Sequence, residues 1–153
     1  MTELDRVDRR ILNELQADGR MTNAELADRV GLAPTSTSER LKRLQKSGYI
    51  TGFSARIDPH MVGLGLLVFV EVSLDKTTPD AFDKFSRAVR QSREVLECHM
   101  VAGGFDYLVK ARVTDMSHYR TFLGDVLLNL PGVSETRTYP VMEEVKPEGP
   151  LPI

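Results

Sequence analysis

The chain has no tryptophan and a single cysteine, Cys98, among its 153 residues. One thiol cannot form an internal disulfide, which fits a reducing compartment. Long apolar runs are also missing. The longest, Leu64–Val70, is far short of the ~20 residues needed to cross a bilayer. The opening Met1-Thr2-Glu3-Leu4-Asp5 lacks the basic-then-apolar pattern of a secretory signal. These absences predict a cytoplasmic protein with no membrane partner. The three histidines, His60, His99 and His118, are scattered and give no metal-ligand spacing. Cys98 and His99 are neighbours, so on a strand they face opposite ways and make a poor nucleophile pair. Cys98 is read as structural. Gly103-Gly104 leads into a strand rather than a helix, which excludes a phosphate-cradling loop. The expectation is no enzyme, no metal and no cofactor.

What is present is a chain that is 41% hydrophobic and 27% charged, enough for one ordinary domain or two small ones. The net charge of −2 argues against a nucleic-acid ligand until its distribution is considered. Between Pro34 and Arg56, the basic residues Arg40, Lys42, Arg43, Lys46 and Arg56 face one acid, Glu39. Such local basicity is the footprint of a DNA-binding element.

Apolar spacing predicts three helices in the first third. Leu4, Val7, Ile11, Leu12 and Leu15 share one face, with Asp5 as cap and Asp18-Gly19 as terminator. Thr22 and Glu25 form a capping box opening a second helix, which Gly31 ends after Leu26, Ala27 and Val30. A third begins near Pro34 and runs to Lys46-Ser47-Gly48, with Leu41 and Leu44 inward. The period then changes to two over Phe53, Ala55 and Ile57, which predicts a strand closed by Pro59. Boundaries follow: a helical domain over 1–58, a linker over 59–65, a second domain over 66–146 and a loosely ordered tail over 147–153.

The second domain alternates differently. Strands are expected at Leu66–Leu74, Val95–Val101, Tyr107–Val113 and Val133–Val145. One helix opens at Thr78-Pro79, and another runs from Asp115 through Leu130 to Pro131-Gly132. The order βαββαβ is ferredoxin-like, with both helices on one face of a four-stranded sheet. The first strand is apolar on both faces, so Leu67 and Phe69 would be left on the open side. That predicts an obligate dimer.

Two helices around a turn at Gly31-Leu32, followed by a basic helix, match a helix-turn-helix. Thr35, Ser36, Thr37, Ser38, Glu39, Arg40, Lys42 and Arg43 are the candidate DNA contacts: hydroxyls approach bases or phosphates, and arginines bind guanine or phosphate. A solvated basic face on an amphipathic helix is the plainer alternative. Truncating Arg40 or Arg43 is expected to weaken DNA binding and leave the fold intact, since Leu41 and Leu44 carry the packing.

The segments Leu4–Gln16, Asp18-Gly19-Arg20, Asn23–Ala27, Val30-Gly31-Leu32, Glu39–Leu44 and Gly48-Tyr49-Ile50 together resemble the Lrp/AsnC family of bacterial and archaeal regulators. Leu67–Glu71, Glu97-Cys98-His99, Phe105–Leu108, Leu130–Val133, Thr136–Tyr139 and Val141–Lys146 continue the resemblance, closest to its leucine-responsive branch. The resemblance implies a winged helix-turn-helix joined to a ferredoxin-like domain that dimerises and senses amino acids. It also implies double-stranded DNA as partner, nucleoid association and further assembly of homodimers, commonly to octamers. Ala33 departs from the serine usual before the proline. Ser36 and Glu39 offer a second capping box one turn later.

Gly103-Gly104-Phe105-Asp106 combines close backbone approach with a carboxylate, which suits a zwitterion's two ends; the same residues also suit a plain hairpin. The resemblance favours an effector pocket and adds Met100, Met116, Tyr139 and Val141 as neighbours across a contact between dimers. Leucine, proline and other apolar amino acids are candidate effectors. A protein that organises the nucleoid by wrapping DNA, without a regulated switch, is the alternative function.

Overall fold

The computed structural model describes residues 3–147 and 149–153. Met1, Thr2 and Glu148, which fall in the N-terminal opening and the tail read from the sequence, lie outside the described residues. The chain divides into two compact units. One is residues 1–56 together with 146–153, and the other is 57–145.

The first unit contains α1 (Arg6–Ala17), α2 (Asn23–Val30) and α3 (Pro34–Lys46). Local chemistry starts and stops each helix. Asp5 and Asp8 form a reciprocal capping box at α1, and Thr22 and Glu25 form another at α2. Gly31 ends α2 in the left-handed conformation, φ 72°, a region open to glycine at no steric cost. Ala33 is the N-cap of α3 and supplies no side-chain bond, so the helix starts at Pro34 and the Ser36–Glu39 box does not form. Ile11, Leu12, Leu26, Val30 and Leu44 make the core, with Leu4, Val7, Leu15, Met21, Leu32 and Ile50 packed around them.

No strand forms over residues 51–57. Phe53 lies against Gly19, where an added Cβ would come within 3.2 Å of its ring, and Ile57 is exposed. Alternation of apolar residues makes a strand only when another strand pairs with it, and none is alongside. The tail also departs from expectation. Gln16 Nε2 donates to the Leu151 carbonyl at 3.2 Å while Leu151 N donates to Gln16 Oε1 at 2.6 Å. Asn13 Nδ2 donates to the Ile153 carbonyl at 2.8 Å. Residues 151–153 are therefore seated on α1 rather than loose.

The second unit holds β1 (Leu66–Leu74), α4 (Pro79–Val89), β2 (Val95–Met100), β3 (Tyr107–Val113), α5 (Met116–Asp125), a 3₁₀ turn (Leu127–Asn129) and β4 (Val133–Pro140). The antiparallel sheet has order β2-β3-β1-β4, the ferredoxin-like arrangement that the element order predicts. Val68, Val70, Val72 and Leu74 join Val109, Ala111 and Val113 against Phe85, Val89, Tyr119 and Phe122 of the helices. Phe85 stacks on Tyr107 with ring centroids 4.3 Å apart. Cys98 packs against this core, and burial pushes its thiol up to about 11, which keeps it protonated near neutral pH.

Three boundaries move, β2 ending at Met100 rather than Val101. The last helix breaks into α5 and the 3₁₀ turn before Leu130. The last strand ends at Pro140, not Val145; proline has no N–H with which to extend the ladder. Val141 still donates to the Leu67 carbonyl at 2.9 Å. Leu67 is 5% exposed in the single chain and Phe69 is half-buried, so the open face is less apolar than the sequence predicts. Its register places Lys110 and Tyr139 beside Phe69, Leu108 and Arg137 beside Glu71, and Arg112 beside Leu67.

Candidate DNA-binding face and effector site

The start of α3 presents Thr35 and Glu39 exposed, with Ser36 and Ser38 half-buried and Lys42 exposed one turn on. Asn23 Nδ2 donates to the Pro34 carbonyl at 2.8 Å, tying the first turn of α2 to the start of this helix. Thr37 does not belong with the surface set. It is 0% exposed and its hydroxyl donates to the Ala33 carbonyl at 3.1 Å, a bond to the fourth residue back that hides the group inside the helix packing.

Arg40 and Arg43 are also placed differently from a free basic face. Arg43 Nη2 donates to both oxygens of Asp8, at 2.6 and 2.7 Å. Arg40 Nη1 donates to Asp8 Oδ1 at 2.8 Å and Asp5 Oδ2 at 2.6 Å. Asp8 is 1% exposed. The same carboxylates close the capping box of α1, where Asp8 N donates to Asp5 Oδ1 at 2.7 Å. The backbone N–H of Asp8, and then Arg40, hold the Asp5 carboxyl below its usual range; bonds to Asp5 and Asp8 raise Arg40 further. Sequence reading missed Asp8 as a partner of α3, because only the fold brings it to arginines 32 and 35 residues away. Its one visible signal was a second acid three residues after the cap. The removal of either arginine therefore touches the fold as well as any DNA contact, contrary to the expectation above.

In the other unit, the seven candidate effector residues do not all come together. Met100, Gly103, Gly104 and Asp106 surround the β2–β3 connection, at the end of the sheet where Val72 pairs with Tyr107. Val141 bonds to Leu67, and Met116 follows β3 beyond Val113, whose partner is Leu66. These two lie toward the opposite end of β1, whereas Tyr139 pairs with Phe69 in mid-strand. At ~3.3 Å per residue, five to six residues of β1 separate Val141 and Met116 from the β2–β3 connection, so one chain does not gather all seven into one pocket. Asp106 is partly engaged: its Oδ2 accepts from Leu74 N at 2.7 Å, and its backbone bridges Val72 and Val101. Tyr139 donates its hydroxyl to Glu71 Oε1 at 3.0 Å.

Gly104 opens on a shallow recess that the sequence did not reveal, lined also by Glu71, Ser73, Phe105, Glu135, Thr136 and Arg137. Arg137 stands 3.9 Å from Glu71 and 3.5 Å from Glu135. The alternation of Glu135, Arg137 and Tyr139 along β4 was the available signal. It needed the β1–β4 register to show that these groups face Glu71 and Ser73.

A winged helix-turn-helix DNA-binding model matches residues 4–51, and the Lrp/AsnC ligand-binding domain matches residues 67–151. The chain belongs to the Lrp/AsnC family. As a member it is a transcription regulator with a DNA-binding unit and a ligand-binding unit. It is 56% identical over 151 residues to the leucine-responsive regulatory protein of Escherichia coli K12, covering 99% of this chain and 92% of that one. A Neisseria meningitidis transcriptional regulator, solved as its L-methionine complex, superposes with TM-score 0.93 at 40% identity over 98% of this chain and 97% of that chain. An AsnC-family regulator from Agrobacterium tumefaciens gives 0.89 at 30% identity, covering 94% and 93%. Among the described residues of this family member, no helix is long and apolar enough to cross a membrane, and no group of acidic, histidine and cysteine side chains could hold a metal.

Proposed function

We propose that this Lrp/AsnC regulator binds operator DNA in the cytoplasm, in association with the nucleoid, and that an apolar amino acid sets its affinity. The observation that carries this is the union, in one chain, of a helical unit with an exposed polar helix start and a ligand-binding domain over 67–151. Leucine and methionine are the effectors to try first, since relatives are named for the one and solved with the other. DNA wrapping without a switch leaves the ligand-binding domain without a task. The protein acts by binding and not as an enzyme.

The DNA-facing set is Thr35, Ser36, Ser38, Glu39 and Lys42, with Arg40 and Arg43 offering DNA only what Asp8 and Asp5 leave of them. Thr37 supports α3 from inside. The effector site includes Met100, Gly103, Gly104 and Asp106 from one copy, and Met116 and Val141 from another, with Tyr139 placed between them. The separation of Met116 and Val141 from the β2–β3 connection within one chain supports a site shared between copies of a homodimer; further assembly toward an octamer is part of the same proposal. Titration of DNA from upstream of its own gene, across a panel of amino acids, tests the function. A change in operator affinity with leucine or methionine is expected; equal affinity across the panel contradicts it.

A further inference from the structure

The helix α3 carries four cations, Arg40, Lys42, Arg43 and Lys46, but they are not equally available. Lys42 and Lys46 are exposed, and neither has an ion-pair partner among the described residues. The two arginines are pinned by Asp8 and Asp5 at distances of 2.6–2.8 Å. Two guanidiniums against two carboxylates make a cluster with no net charge. Asp8 is well suited to the hold: its side chain is 2% exposed, and its position is fixed from below by the capping box.

We propose that Asp8 is a positioning residue for DNA recognition: it restrains Arg40 and Arg43, keeps their charge from sequence-blind phosphate contacts, and thereby raises the preference for operator over random DNA. This rests on the reading of α3 as the DNA-facing helix. The physics is additive in phosphates. Each phosphate neutralised on duplex DNA contributes ~0.9 to the slope of log affinity against log salt, whatever the sequence. A long arginine freed from Asp8 reaches phosphates in many registers, which strengthens binding to every duplex. A tethered arginine has one approach and contributes only where the DNA fits it. Holding two of four cations thus limits the non-specific term without removing the side chains from the surface, where Arg40 remains 28% and Arg43 42% exposed.

The test uses the full-length protein, an operator duplex from upstream of its own gene and a random duplex of equal length, across 50–300 mM salt. Wild type is expected to prefer the operator, and equal affinity for the two duplexes overturns the proposal. If it binds neither duplex, α3 is not a DNA-facing helix, and that reading falls together with the proposal. Given binding, Asp8→Asn is expected to steepen the salt slope on random DNA by ~1 per released arginine. It should also raise random-duplex affinity several-fold at low salt and reduce the operator preference. Asp8→Asn combined with Arg43→Gln should return part of that slope. Asp5→Ser keeps a capping oxygen on an exposed site and frees only part of Arg40, so its change is smaller and in the same direction. A lowered melting temperature with unchanged salt slope and operator preference makes Asp8 merely structural and overturns the proposal. If Asp8→Asn does not fold, Asp5→Ser decides alone, and an unchanged slope overturns it equally.

Discussion

Arg43 donates one nitrogen to both oxygens of a carboxylate that water does not reach. Arg43→Ala leaves Asp8 with Arg40 as its remaining cation, so the loss is that of partly stranding a buried group. About 1–3 kcal/mol of stability should go, visible in chemical denaturation before DNA is added. The surface-only view that spacing suggests predicts no change in that experiment. Asp106 raises the same issue in the sensing unit. Its Oδ2 holds the Leu74 amide, and alanine would strand that donor, mixing a structural loss with a sensory one. Asp106→Asn keeps an oxygen for Leu74 and removes the charge an ammonium would need. It is expected to keep its melting temperature and its effector-free operator affinity while losing the amino-acid response. An undiminished response would leave Asp106 as a turn residue. Both cases show what spacing misses: Asp5, Thr22, Thr78 and Asp115 were legible as caps because each bonds three residues ahead. Asp8 and Arg43 sit 35 residues apart and share no local pattern.

The helices were readable because their starts and stops are local, and the exceptions have local causes too. Ala33 leaves the first amides of α3 without a side-chain acceptor, and its backbone, φ −67° and ψ 145°, already has the extended shape of an N-cap. Ala33→Ser is therefore expected to stabilise the protein by ~0.5–2 kcal/mol, measured by thermal or chemical unfolding. No gain would mean that solvent satisfies those amides equally well. Strands were harder. β1 and β3 stand where alternation predicts, because each finds partners and a buried face; β2 has no fully buried residue and is held by its pairing with β3 and by Val95 and Cys98 against the core. Residues 53–57 alternate as well but have no partner strand, and β4 stops at Pro140 for want of a donor. The tail was misread because its anchors are two amide side chains on α1, Asn13 and Gln16, which carry no signal as partners for a distant proline-rich segment.

On the scale of the whole molecule, two distinct units share one chain, and Met116 and Val141 lie at the other end of the sheet from Gly103, Gly104 and Asp106. On the proposed reading the site is complete only when two copies meet, and ligand affinity would then depend on assembly. Phe69→Asp places a charge on the half-buried open face. It is expected to lower the assembly state in sedimentation at micromolar concentration and to weaken amino-acid binding with it. Full ligand binding by a monomer would refute the shared site. The element order alone conveyed the sheet topology, since βαββαβ has one common solution; which copy supplies which residue is not written in any single chain.

The most direct test of the account is linkage between the two units. Operator affinity is measured by fluorescence anisotropy with and without saturating leucine or methionine, and amino-acid affinity is measured by calorimetry with and without operator. If the ligand-binding unit governs the DNA-binding unit, the two affinities must change by the same factor. A typical coupling of ~1–3 kcal/mol corresponds to ~5–150-fold. Operator affinity that stays constant while either amino acid saturates its site would contradict the account.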